Sequence, residues 1–112
     1  MKIGFVGLAE EPWLDALDAC IDVDQIEYVD FNESLRTNSQ KLRQQDNCDL
    51  VIAINHMRLP NDQVMAREND SKVVDMILGG HDHCYHRELT STDVYIQKSD
   101  TDFECFSNLT VL

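Results

Sequence analysis

Basic side chains are scarce: nine lysines and arginines stand against 21 aspartates and glutamates, for a formal net charge of −12. That balance argues against a polyanion-binding surface, because non-specific nucleic-acid affinity comes mostly from Lys and Arg neutralising phosphates. A small phosphorylated substrate remains compatible with it, since a bound divalent cation can reverse the local sign of an acidic site. No Cys-x-x-Cys pair occurs. Cys20, Cys48, Cys84 and Cys105 are dispersed, which excludes a zinc ribbon and a thioredoxin motif and predicts free, mostly buried thiols. No apolar run approaches the ~18 to 20 residues of a membrane span. The opening apolar stretch is brief and runs into Glu10 and Glu11, unlike a signal peptide. A cytoplasmic chain with no membrane partner is the expectation. Internal repeats, linkers and low-complexity stretches are also missing.

What remains is ordinary globular material. With 112 residues, 43% hydrophobic and 27% charged, the chain is long enough for one modest core and too apolar for disorder, so residues 1–112 are read as a single unit. Residues 3–8 form a short apolar run that predicts a buried strand. Pro12 suits a first helical position, Glu10 and Glu11 complement the helix dipole, and Trp13, Leu14, Leu17, Cys20 and Ile21 recur on one helical face. A second strand is expected over residues 25–31. Asp30 with Glu33 then resembles a capping box opening a largely polar helix that runs to about Gln45 and lies outside the sheet with one side wet.

Residues 50–54 are uniformly apolar, as in a strand covered on both faces, and Pro60-Asn61-Asp62 marks a turn into a short helix with Val64 and Met65. Residues 73–78 form a second such run, ended by Gly79-Gly80. Glycine permits backbone angles that other residues resist, and His81-Asp82-His83 then falls in a loop at the strand's carboxyl end, the edge where open α/β sheets bind ligands. Strands over residues 93–98 and 105–112 close the chain, with an antiparallel addition expected there. The alternation of strands and helices predicts an α/β fold with a mixed sheet and helices packed on it.

All four histidines lie between His56 and His86, and His56, His81 and His83 each follow a predicted strand. Neutral imidazole is a common ligand of zinc, manganese and iron. Spacing alone leaves two readings open, a surface loop and a metal site. Arg58, just after the first of these histidines, could meet a phosphate or simply be an exposed loop arginine, and His86 reads as a surface residue.

The stretch Asp49-Leu-Val-Ile-Ala-Ile-Asn-His-Met-Arg-Leu-Pro-Asn-Asp62, followed by Val74-Asp-Met-Ile-Leu-Gly-Gly-His-Asp-His83, resembles the closing motifs of calcineurin-like metallophosphoesterases, especially their 5'-nucleotidase branch. Residues 1–8 and 94–102 resemble that branch's strands ending Gly-Leu and Lys-Ser-Gly-Thr-Asp. The resemblance implies the C-terminal part of a metallophosphoesterase-type αββα sandwich that hydrolyses phosphate monoesters such as nucleotides. It further implies two divalent transition metals, zinc, manganese or iron, which together activate a hydroxide and clamp the phosphoryl oxygens. By position His56 and His81 resemble ligands of one metal and His83 of the other, while Asp82 would orient a ring or face solvent.

The family's upstream Asp-x-His, Gly-Asp and Gly-Asn-His-Asp or Gly-Asn-His-Glu motifs have no counterpart in the chain. Two four- or five-coordinate ions need roughly eight ligand positions, and the recognised motif supplies three neutral ones without a bridging carboxylate. This chain alone is therefore expected to hold at most one ion. It is expected to self-associate or to pair with an N-terminal half-domain, and to be inactive or very weak. The alternative is a non-catalytic interaction module that keeps the fold.

Overall fold

The computed structural model describes residues 1–17, 22–69 and 72–111. Among these described residues five strands form one mixed sheet: β1 Ile3–Ala9, β2 Leu50–His56, β3 Met76–Gly79, β4 Tyr85–Leu89 and β5 Tyr95–Ser99, in the spatial order β1-β2-β3-β5-β4. The β1–β2, β2–β3 and β3–β5 pairs are parallel, and β4 runs antiparallel along the outer edge of β5. Helices α1 Trp13–Leu17, α2 Phe31–Gln44 and α3 Leu59–Arg67 complete the fold. It is an α/β fold with helices packed on a mixed sheet, as the alternation predicts.

Strand register shows why both long helices lie on the same side. Val6, Ala53 and Ile77 are successive partners across β1, β2 and β3, and Ile77 pairs Ile96 on β5. All four are buried. A side-chain carbon on Gly4 in this register would strike Leu42 of α2, and one on Gly79 would strike Asp62 of α3. Parallel strands added in one direction through right-handed crossovers carry their helices to one face, and here that face holds the core, with Leu35, Met57, Met65 and Val94 packed against it. Asp30 opens α2 as expected: its Oδ1 accepts from the Asn32 and Glu33 amides at 2.9 and 3.3 Å.

The opposite face carries no helix among the described residues. Ile3, Phe5 and Ile54 on it are 38%, 57% and 50% exposed while Ile52 between them is buried, so β2 is covered on both sides only in part, short of what residues 50–54 suggest. The segment after β5 reaches part of this face: Ser107 Oγ lies 2.8 Å from Ser99 Oγ, and Leu109 shares a shallow recess with Ile54, Leu78 and Gln97.

Several boundaries differ from expectation. The strand over residues 25–31 does not form. Asp22 folds its own segment into a turn, accepting from the Asp24 amide at 3.3 Å, and Val23–Gln25 is a 3-10 turn. Beyond it the apolar residues are used singly: Tyr28 donates its hydroxyl to the Ala9 carbonyl at 3.2 Å, Phe31 packs on the core, and Val29 stays half exposed. The second half of the first helix, with Cys20 and Ile21, lies outside the described residues. β3 starts at Met76 and not at 73, because the Asn69 side chain takes the Val73 and Val74 amides at 2.9 and 3.2 Å.

No strand forms over residues 105–111. The chain is turned beforehand by left-handed backbone angles at Asp100, Asp102 and Phe103 (φ 68°, 51° and 60°), which no extended strand can accommodate. The antiparallel addition is instead β4, whose Tyr85, Arg87 and Leu89 point outward and His86 and Glu88 inward. Of the described cysteines only Cys48 is buried; Cys105 is exposed.

Candidate functional site

The four parallel strands end at one edge, so the residues that follow them converge. After β1 come Glu10 and Trp13; β2 ends at His56, with Arg58 just beyond; after β3 come Gly80 to His83. His56 Nε2 and His81 Nδ1 are 3.1 Å apart. His81 Nε2 faces Glu10 Oε1 at 3.6 Å. A carboxylate beside Nε2 favours the tautomer protonated there, which leaves Nδ1 of His81 to accept from His56. Trp13 walls the pair, its ring centroid 4.2 Å from that of His56 and 5.8 Å from that of His81.

Burial pushes the His56 pKa down, and its neighbour His81 pushes in the same direction against the pull of Glu10. The ring is therefore neutral at pH 7, the form that ligates metals. Glu10, 3% exposed, also meets Arg58 Nε at 3.0 Å and accepts from the Asn61 side chain. Arg58 is thus held by a carboxylate, with its side chain still 57% exposed.

His83 is exposed and is not among the contacts of the histidine pair. Among the described residues no set of three or more His, Cys, Asp or Glu side chains is gathered to hold an ion. His86 bonds to Glu88 at 3.2 Å on β4, and Glu88 sits below the usual carboxylate range because Gln63 and then His86 donate to it.

Asp82 neither orients a ring nor faces solvent freely. Its Oδ2 accepts from the Leu59 amide at 2.8 Å and stands 2.8 Å from Lys98 Nζ. Lys98, 2% exposed, also pairs with the fully buried Asp62 at 2.8 Å and donates to the Met57 and Gly80 carbonyls at 2.8 and 2.7 Å. Burial alone would lower the lysine's pKa, but the two carboxylates more than offset it. Burial raises Asp62, whose Oδ1 accepts from Asn55 at 2.8 Å.

The backbone also departs from expectation. Neither glycine of Gly79-Gly80 adopts a positive φ; the left-handed angles fall on His81 (80°) and His83 (51°). Gly79 is required by space instead, since a Cβ there would lie 2.8 Å from Asp62 Oδ2 and 2.9 Å from Lys98 Nζ.

For Asp82, burial works to raise the pKa, but Lys98 and the Leu59 amide outweigh it and hold the carboxyl below its ordinary value. A carboxyl lowered on folding contributes stability that is present above the ordinary range of about 4 and lost as pH falls through the folded value. Urea unfolding of the wild type should accordingly lose stability between about pH 5 and pH 3, and Asp82→Asn should flatten part of that loss. Parallel pH profiles would remove Asp82 from the account.

Glu10, Trp13, Asp62 and Lys98 escape a reading of motifs alone. Two signals were available. Residues following β1 belong at the same sheet edge as those following β2 and β3, and Val94, Ile96 and Lys98 occupy one register, which puts a lysine on the buried face.

No family model matches the chain. It is 30% identical over 84 residues to a protein named Apyrase from Tabanus yao, covering 75% of this chain and 14% of that protein. It is 30% identical over 64 residues to a protein named Protein 5NUC from Lutzomyia longipalpis, covering 57% of this chain and 11% of that one. These are distant relatives. The chain spans no more than about one seventh of the curated relatives it matches. Among the described residues no helix is long and apolar enough to cross a membrane.

Proposed function

We propose that the chain is the C-terminal portion of a metal-dependent phosphoric monoester hydrolase of the 5'-nucleotidase type, within the calcineurin-like metallophosphoesterases. The observation that carries the reading is the His56–His81 pair at the carboxyl edge of the sheet. Two nitrogens each about 2.0 to 2.1 Å from a tetrahedral ion stand roughly 3.3 Å apart, close to the 3.1 Å between His56 Nε2 and His81 Nδ1. The pair thus fits two positions around one divalent transition metal, which would take the place of this hydrogen bond with the His56 proton carried on Nδ1. Glu10 behind His81 fits the carboxylate that commonly backs a ligating ring, and Trp13 shields one side. His83 is the candidate for a second ion, and Arg58 is a cation within reach of a phosphate at the same edge. When bound, two such ions would activate a hydroxide and clamp the phosphoryl oxygens.

The relatives' names favour a nucleotide as substrate class. The bare sheet face favours a half-domain: parallel strands are normally covered on both sides, and Phe5 and Ile54 are not. An N-terminal half-domain or a second copy of the chain would cover it. The missing carboxylate ligands favour a second reading, a non-catalytic module that retains the fold and one metal. Under either reading the isolated chain takes up at most one zinc or manganese ion, weakly, in calorimetric titration, and His81→Ala abolishes the heat. Binding that survives His81→Ala would sink the assignment of His56 and His81.

A further inference from the structure

We infer that Lys98 is a positioning residue that holds the two histidine loops against each other; its role toward metal rests on reading His56 and His81 as ligands. The geometry is unusually one-directed. Lys98 Nζ reaches the carbonyl of Met57, the residue after His56, and the carbonyl of Gly80, the residue before His81, at 2.8 and 2.7 Å. The same nitrogen is 2.8 Å from Oδ2 of Asp82, the residue after His81. One cation therefore fixes the backbone on both sides of His81 and just beyond His56.

What it holds is a strained segment. His81 has φ 80°, a region that costs a non-glycine residue energy and persists only where surrounding contacts over-determine it. Here the flanking contacts converge on Lys98. Asp82 extends the clasp to the start of α3 through the Leu59 amide, and the Gly80 amide donates to the Asn55 carbonyl at 2.8 Å. Gly79 leaves room for the ammonium group. Asp62, on α3, adds the second negative charge that a buried ammonium needs. A lysine serving stability alone needs only Asp62; this one also donates to both loop carbonyls, and that of Met57 belongs to a residue with no exposed surface.

The test pairs a metal-free and a metal-loaded readout on the full chain. Lys98→Met/Asp62→Asn removes the cation together with its most buried carboxylate, and Asp82→Ala is a milder second variant. Leu35→Ala weakens the core away from the loops. In hydrogen exchange without metal, the Gly80 amide should lose at least tenfold protection in both clasp variants, beyond any global change, and should follow global stability in Leu35→Ala. Titrated with cobalt(II) chloride where all variants are folded, the clasp variants should bind at least tenfold more weakly with an altered visible spectrum, while Leu35→Ala keeps the wild-type affinity and band. Loop protection and cobalt binding unchanged in folded clasp variants would overturn the inference. If the wild type binds no cobalt, the metal reading fails by itself, and the exchange measurement still decides whether Lys98 orders the loops.

Discussion

Lys98→Met should cost about 3 to 5 kcal/mol of folding stability at pH 7, the usual consequence of removing one partner of a buried ion pair. The substitution keeps most of the volume, so the loss is electrostatic. Asp62, with no exposed surface, is left charged and unpaired, and the Met57 and Gly80 carbonyls lose their donor. Against a total of roughly 5 to 15 kcal/mol for a small domain, that is a large fraction. The pH dependence follows from the sign of the shift. Burial already raises the Asp62 pKa with lysine present, and without lysine the carboxyl rises further. A group raised in the folded state contributes stability that is present below its unfolded pKa and lost as pH rises through the folded value. The penalty of Lys98→Met should therefore shrink as pH falls from 7 toward 5, and adding Asp62→Asn should recover much of it at pH 7. Urea melts of the three proteins at both pH values check this. A penalty below about 1 kcal/mol, or one independent of pH, would mean that water reaches the pair and that Lys98 is not a buried cation in solution.

The fold was legible wherever local pattern and tertiary burial agree. Residues 3–8 and 50–54 are apolar because they form adjacent parallel strands whose alternate residues face the core, and Asp30 caps α2 through its own side chain, a local device that sequence displays directly. Misreadings fall where tertiary context decides. Tyr85-His86-Arg87-Glu88-Leu89 carries no strand signal in sequence because an edge strand bears charge on both faces, and only pairing with β5 makes it extended. Residues 105–111 include Phe106, Leu109 and Val111 yet form no strand, because Asp100, Asp102 and Phe103 turn the chain first. At the site, motif spacing singled out the histidines but not what holds them. In sequence Glu10 complements a helix dipole, while its burial beside His81 comes with the contacts that Arg58 and Asn61 make to it at the start of α3. Asp82 sits between two histidines in sequence and turns inward to a lysine sixteen positions later, a partnership that a linear motif does not encode.

Purified alone, the chain should release phosphate from AMP or p-nitrophenyl phosphate at close to background rates, even with added zinc or manganese. The reason lies in what the edge of the sheet contains. His56 and His81 meet, Glu10 is committed to Arg58 and Asn61, and Asp82 to Lys98 and Leu59. Among the described residues no carboxylate stands between two ligand sets to bridge a pair of ions, and none is free beside the pair to protonate a leaving group. Two ions acting together are what would make a hydroxide and oppose it with a clamp on the leaving oxygen. Groups that act as a unit lose rate steeply when several are missing, so the shortfall does not divide into small factors. The exposed Ile3, Phe5 and Ile54 give the complementary expectation: the chain should associate in light scattering as concentration rises, because apolar patches of this kind become interfaces. Wild type and His81→Ala assayed side by side, at concentrations below and above that association, separate the outcomes. Equal, near-background rates at both concentrations fit a half-domain awaiting its missing ligands. Robust turnover that appears only on association and is abolished by His81→Ala would mean that two copies complete one site, and turnover at the lower concentration would mean that one chain already holds a complete centre.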